Sequence, residues 1–452
     1  MTGSRARPRE RLKESPVTSS LAGSVREVTL AYGRGRLDVT LPPGCEPTVI
    51  RQRPLPPLAD PAAAVVDALD HPVGSPPLAA LARGRRSVCI LICDITRPVP
   101  NGLFLRPLVE QVTAAGVPLE AVTVLVATGL HRPNLGAELA ELVGDPWVLE
   151  HVRVENHDAR DDAAHRSLGV TATRGTPVSL DRRFADADLK IVTGLVEPHF
   201  MAGWSGGRKV IAPGVAHHTT IRTFHSARFM EDPRAVQCTL EGNPLHEEQL
   251  EIVRMLGEVH GLSAVVDEER RLVHVGFGEV VASHQAVVDV VAASVRVPVG
   301  RRFGTVLTSA AGHPLDATYY QTVKGMVTPL DVLAPGGTLI IASECSEGLG
   351  SRAFRAAQQR LAAAGPDAFL ASITGKDLAD VDEWQTEMQL KPMRHGRVEL
   401  YSTGLPREDR ALTAVVVVDD LTAAVAASMA RTGDRSVAVI PDGPYVIPVV
   451  GG

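Results

Sequence analysis

The chain has 452 residues, 44% of them hydrophobic and 22% charged, with a formal net charge of -6. That length implies more than one core, and the slight acidic excess argues against a nucleic-acid-binding face. No apolar run reaches the length of a membrane span, and the basic opening MTGSRARPRERLKESPVTSS lacks the apolar stretch of a secretory signal.

A cytoplasmic protein is therefore expected, with residues 1–22 as a disordered lead-in. The five scattered cysteines fit a reducing compartment. Cys89 and Cys93 read as core thiols, because an extended strand holds residues four apart too far from each other to chelate.

Taken in order, short β-branched apolar runs recur: SVCILICDITRP, AVTVLVATGLHRP, DLKIVTGLVEPHF, GTVLTSAAGHP, GTLIIASECSEG, TAVVVVDD and SVAVIPDG. Continuous runs of this kind suit strands buried on both faces. Ala/Leu/Glu-rich stretches such as NGLFLRPLVEQVTAAG and SRAFRAAQQRLAAAG lie between them and read as helices. The alternation predicts an α/β protein with mainly parallel sheets. A Pro/Gly-containing, basic segment, AASVRVPVGRRFG, predicts a break between residues 285 and 303. This gives an N-terminal cofactor-binding domain over 23–290 and a C-terminal α/β domain over 291–452, whose last segment returns to the first, with a cleft between the two.

Polar residues follow the strands, where open α/β sheets bind ligands. Asp94, Thr96 and Arg97 lead into a helix starting near Asn101, an arrangement suited to an anion or to an ordinary cap. His131 follows the next strand, and ENHDARDD, with His157, reads as a solvated connection. EPHFMAGWSGGRK is more specific: Gly203, Gly206 and Gly207 flank Trp204 and Ser205, and Arg208 and Lys209 follow. Its spacing is not that of a phosphate-binding GxxxxGK[ST] loop, which excludes an ordinary nucleoside triphosphatase. A lysine in a tight, desolvated loop can instead be a nucleophile. No HExxH or paired-cysteine pattern supports zinc, but a lone histidine such as His225 could complete the coordination of a metal held mostly by a cofactor. Gln321 and Lys324 share a helical face in YYQTVKGM, with Lys324 placed to meet a carboxylate.

Together DITRP, ATGLHRP, EPHFMAGWSGGRKVIAPGV, TFHSARFMEDPRA, YYQTVKGM and PGGTLIIASECSEGLG resemble the nickel-pincer-nucleotide-dependent lactate racemase family, with EWQTEMQL as a weaker extension. The resemblance implies a racemase or epimerase of a 2-hydroxy acid. Its cofactor is a pyridinium-3-thioamide-5-thiocarboxylic acid mononucleotide carrying Ni(II). It further implies that His131 and His199 act as acid and base, and that Lys209 is covalently joined to the cofactor. It implies too that His225 ligates nickel, that Asp94, Thr96, Arg97, Trp204, Gly206 and Gly207 contact the cofactor, and that Arg97, Tyr320, Gln321, Lys324 and Trp384 hold the substrate. Cofactor-synthesis and nickel-insertion proteins are implied as transient partners. Leu130 stands where many lactate-type members carry threonine, which leaves larger hydroxy acids or sugar acids as alternative substrates. A non-catalytic cofactor-binding relative is the other reading.

Overall fold

The computed structural model describes residues 18–20 and 26–451. The lead-in expected over 1–22 lies outside these residues, except that Thr18–Ser20 pairs antiparallel with Glu46–Ile50.

Two sheets organise the chain. The first has six strands, in the order Leu272–Glu279, His260–Val266, Leu189–Leu195, Val88–Cys93, Val122–Ala127 and Arg153–Asn156. All its pairings are parallel except that between the first two. The three central strands are the VCILIC, VTVLVA and LKIVTGL runs, and their aliphatic side chains are buried on both faces. On one face the helix Asn101–Ala114 contributes Phe104, Leu105, Leu108 and Val112 at helical spacing.

The second sheet has seven strands, in the order Thr18–Ser20, Glu46–Ile50, Ser436–Ile440, Phe303–Ser309, Leu333–Ala342, Arg397–Tyr401 and Val416–Val418. SRAFRAAQQRLAAAG forms the helix Arg352–Ala364. Ser351 Oγ caps its start by accepting the Phe354 N–H at 3.0 Å.

The chain crosses between these units more than its sequence suggests. Residues 23–290 do not form one unit, because Glu46–Ile50 pairs in parallel with Ser436–Ile440 of the second sheet. The hairpin of Glu27–Tyr32 and Gly35–Thr40 follows it, burying Val28, Leu30 and Val39 against Leu307, Ile340 and Val439. The physical cause is a strand whose partner lies at the far end of the chain. At that other end, Ile447–Val450 pairs with Arg296–Val299, and Ile447 packs with Val196, Trp204 and Val287 of the first unit.

One glycine at this crossing point has no substitute. Gly443 has φ +39°, and a Cβ there would lie 1.8 Å from the Ser309 carbonyl oxygen. Gly443→Ala is expected to cost about 2–3 kcal/mol, read as a lower midpoint in a urea titration.

Among the described residues no helix is long and apolar enough to cross a membrane. All five cysteines are free thiols, and burial raises the pKa of Cys89 and, to about 12, that of Cys93.

Candidate active site

The carboxyl ends of the three central strands of the first sheet bring Asp94, His131 and His199 to one edge. Asp94 has no free carboxylate oxygen. Its Oδ1 accepts the Thr96 hydroxyl at 2.5 Å and the Thr96 N–H at 3.2 Å, while Oδ2 accepts from His131 Nδ1 at 2.5 Å. Burial raises the Asp94 pKa, but the His131 and Thr96 bonds outweigh it, so the group lies below its usual value and stays ionised. A carboxylate only accepts, so the His131 proton sits on Nδ1 and Nε2 is left with its lone pair. The His131 side chain is 59% exposed, at the outer rim.

His199 has the opposite tautomer. It belongs to a two-stranded turn in which Pro198 faces Trp204 and His199 faces Gly203. The backbone N–H groups of Met201 and Ala202 point at its Nδ1, at 3.4 and 3.1 Å. Its neutral form therefore carries the proton on Nε2. Burial, then the charges of Lys209, Arg97 and Lys324, hold its pKa well below the usual value.

The glycines of this turn answer to the protein's own packing. A Cβ at Gly203 would lie 2.2 Å from the Thr239 oxygen, at Gly206 2.7 Å from the Leu195 oxygen, and at Gly207 2.9 Å from the His284 ring. Trp204, expected beside a cofactor, is instead 1% exposed within an apolar cluster with Val196, Val287 and Ile447. Arg208 is buried without a carboxylate partner among the described residues. Its Nη2 donates to the Ala202 oxygen at 2.9 Å, its Nη1 lies 3.1 Å from His284 Nε2, and burial lowers its pKa to about 9.

Lys209 follows on the short helix Arg208–Ile211. Burial, then Arg97 and Arg208, bring its pKa down to about 7 from 10.5. Since the unfolded chain holds this proton more tightly, the group's cost to the fold is full below pH 7 and fades as pH rises towards 10.5. Lys209→Met is expected to stabilise the ligand-free protein by about 1–2 kcal/mol near neutral pH. The gain should shrink at pH 9–10 in a series of denaturant titrations; a gain independent of pH would contradict the buried charge.

His225 caps the helix His218–Phe224. Its Nδ1–H donates to the Ile221 carbonyl at 2.9 Å, which leaves Nε2 free, and burial lowers its pKa to about 4. The Trp384 ring lies 4.8 Å from it, on the helix Glu383–His395. Gln385 of that helix donates to the Tyr320 carbonyl at 2.6 Å, and the Gln321 Oε1 is buried without a partner among the described residues.

Between the two units lies a cavity of about 30 Å³. The first unit contributes Arg97, Glu197, His199 and Gln237, and the second Leu315, Lys324, Thr328 and Tyr445. Arg97 Nη1 donates to Glu197 Oε1 at 2.6 Å. Burial lowers the Lys324 pKa, with Arg97 adding to the effect. Of the residues expected to hold substrate, Arg97 and Lys324 meet here. Tyr320, Gln321 and Trp384 are not among the residues lining the cavity.

Another group stands apart: ligand atoms of Asp162, His217 and His218 lie within 4.8 Å of one another. His217 Nδ1 accepts the Thr219 N–H, capping the helix His218–Phe224, and its Nε2–H donates to Asp162 at 2.8 Å, so both nitrogens are already engaged.

The sequence pattern of the lactate racemase N-terminal domain matches residues 32–237, and that of the C-terminal domain matches 301–448. The lactate racemase of Lactiplantibacillus plantarum is 30% identical over 387 residues, covering 85% of this chain and 90% of the relative. The chain belongs to the lactate racemase family. A second lactate racemase, from Thermoanaerobacterium thermosaccharolyticum, is 30% identical over 383 residues, covering 84% of this chain and 88% of its own. The structure of the lactate racemase apoprotein from that organism superposes with a TM-score of 0.85 at 28% identity, covering 93% of this chain and 99% of the other. Family membership makes the chain an isomerase and accounts for two α/β units meeting at a cleft.

Leu315, Gln237, Tyr445 and the buried Arg208 were missing from the residues expected at the site. Only Arg208 carried a signal in the sequence, through its place beside Lys209.

Proposed function

We propose that the protein racemises or epimerises a 2-hydroxy acid, with His131 and His199 moving the proton and Arg97 and Lys324 holding the carboxylate. The observation that carries this reading is the convergence of Arg97, His199 and Lys324, from both units, on one cavity.

The residues present fit a nickel-pincer nucleotide. Lys209 is buried with a pKa near 7, so a large share of its amine is neutral and nucleophilic, as a thioamide link requires. His225 offers an unprotonated Nε2 with its other nitrogen fixed by a carbonyl, the usual preparation of a metal-binding histidine. One imidazole completing a sulfur-rich square suits Ni(II). When bound, the group supplies a reversible hydride acceptor, which spares the enzyme from building a carbanion beside a carboxylate.

The chain's own work is proton transfer and orientation. His131, with its lone pair at Nε2 and Asp94 behind Nδ1, is ready to take the hydroxyl proton of one enantiomer. His199 donates on the other side only as the imidazolium, whose second proton, on Nδ1, displaces the Met201 and Ala202 contacts. Burial, and then the charges of Lys209, Arg97 and Lys324, keep His199 neutral; a substrate carboxylate settling between Arg97 and Lys324 offsets the charge part and favours the imidazolium. In the reverse direction the roles exchange: His199, left neutral with its proton on Nδ1, takes the hydroxyl proton at Nε2, and the His131 imidazolium gives one up.

Leu130 packs against the main core and is not among the residues lining this cavity, but neither is His131 beside it. The substrate class proposed is a short-chain or apolar 2-hydroxy acid. A panel of enantiopure 2-hydroxy acids, assayed with protein co-produced with the cofactor pathway, tests this; activity confined to polyhydroxy sugar acids would overturn it.

A further inference from the structure

Besides Lys324 and Thr328, on and just after the helix Tyr319–Val327, the second unit's share of the cavity wall comes from the carboxyl ends of two adjacent strands. Leu315 follows Phe303–Ser309, and Pro444, Tyr445 and Ile447 follow Ser436–Ile440. The latter segment is clamped on both sides of Tyr445. Before it, the Pro441 carbonyl accepts the Ala31 N–H at 3.0 Å and the Ser309 hydroxyl at 2.6 Å, and Asp442 pairs with Arg36 at 3.0 Å and Arg51 at 3.2 Å. Gly443 then turns against the Ser309 carbonyl at a distance no other residue tolerates. After it, Ile447–Val450 is in register with Arg296–Val299.

Tyr445 is therefore held in place from both directions, yet its phenol has no hydrogen-bond partner among the described residues. It shares the cavity with Arg97, Glu197 and Lys324. Arg97 and Lys324 are cations suited to a carboxylate, Glu197 is already held by Arg97 at 2.6 Å, and a neutral phenol beside them with its donor unspent is a ready partner for that carboxylate. Beside it, Leu315, Pro444 and Ile447 offer no polar side-chain atom, and a hydroxylated substrate tail against them would be left unsatisfied.

We propose that Tyr445 is a substrate-binding residue whose hydroxyl donates to the carboxylate of the bound 2-hydroxy acid, and that Leu315, Pro444 and Ile447 form the apolar wall that receives its side chain. This rests on the racemase reading above.

The test uses cofactor-loaded enzyme and two variants. Tyr445→Phe is expected to raise KM for the preferred 2-hydroxy acid about tenfold or more, with kcat changed less than about threefold. It should weaken binding of 2-hydroxyisobutyrate, which has no α-hydrogen to give up, by a similar factor in calorimetry. Leu315→Ala is expected to shift the kcat/KM ratio about tenfold towards larger apolar side chains. An unchanged KM and an unchanged affinity for 2-hydroxyisobutyrate in Tyr445→Phe, or a fall in kcat alone, overturns the role of Tyr445 while the racemase reading stands. An unchanged substrate preference in Leu315→Ala overturns the wall. Wild-type enzyme that racemises no 2-hydroxy acid overturns the racemase reading and this inference with it.

Discussion

Lys209→Ala, in protein co-produced with the cofactor-building enzymes, is expected to show no covalent mass addition and to lose racemase activity by more than about 10³-fold. The reason is local. Lys209 is an amine that burial has brought to a pKa of about 7, on a helix that starts at the end of the glycine turn. Arginine or alanine there offers no neutral amine. His225→Ala separates the two proposed anchors: it should keep the mass addition and lose most of the bound nickel, because the role proposed for the histidine is a ligand atom and not the covalent link. Intact-protein mass spectrometry with metal analysis reads both outcomes without an assay. A full mass addition on Lys209→Ala would place the attachment elsewhere.

The second large effect is expected at the histidines. His199→Gln or His131→Asn should lower kcat by about 10²- to 10⁴-fold, the usual worth of a positioned acid or base. Their asymmetry makes a sharper test. Asp94→Asn keeps the size of the group but presents either an acceptor or a donor to His131 Nδ1, so the histidine no longer has one enforced tautomer. With Asp94→Asn the steps using His131 as base should suffer most, so initial rates from the two enantiomers diverge. Equal losses in both directions would mean that Asp94 serves the site in some other way. The equilibrium between enantiomers is fixed by symmetry, so the divergence must appear in kcat and KM separately.

Much of this was legible in the sequence because central parallel strands advertise themselves. VCILIC, VTVLVA and LKIVTGL are apolar throughout, and each stops at polar residues that the fold then gathers at one edge. Arg97, His131, His199 and Lys324 could be named from their positions after strands or on a helical face. Other features depended on contacts that spacing does not carry. Trp204 sits in a glycine-rich motif but points into an apolar cluster, and the glycines around it answer to Thr239, Leu195 and His284. Tyr445 lies in PDGPYVI, which reads as a turn near the end of the chain; only pairing with Arg296–Val299 and packing beneath Ser309 bring it to Arg97. Asp94 looked like an anion-binding residue until both its oxygens were found occupied by Thr96 and His131.

The strand Glu46–Ile50 has one further consequence, in the order of events on the ribosome. It is synthesised early, but Ser436–Ile440, the parallel partner that ties it to the body of the second sheet, is synthesised almost last. The six-stranded sheet is complete once residues up to Glu279 have emerged, whereas the seven-stranded one waits for nearly the whole chain. Throughout that interval an early β-segment has to be kept from foreign strand edges. A chain cut short before residue 436 would keep its first sheet and leave the second without its link to Glu46–Ile50, so interrupted synthesis yields a half-closed, adhesive product and not a smaller enzyme.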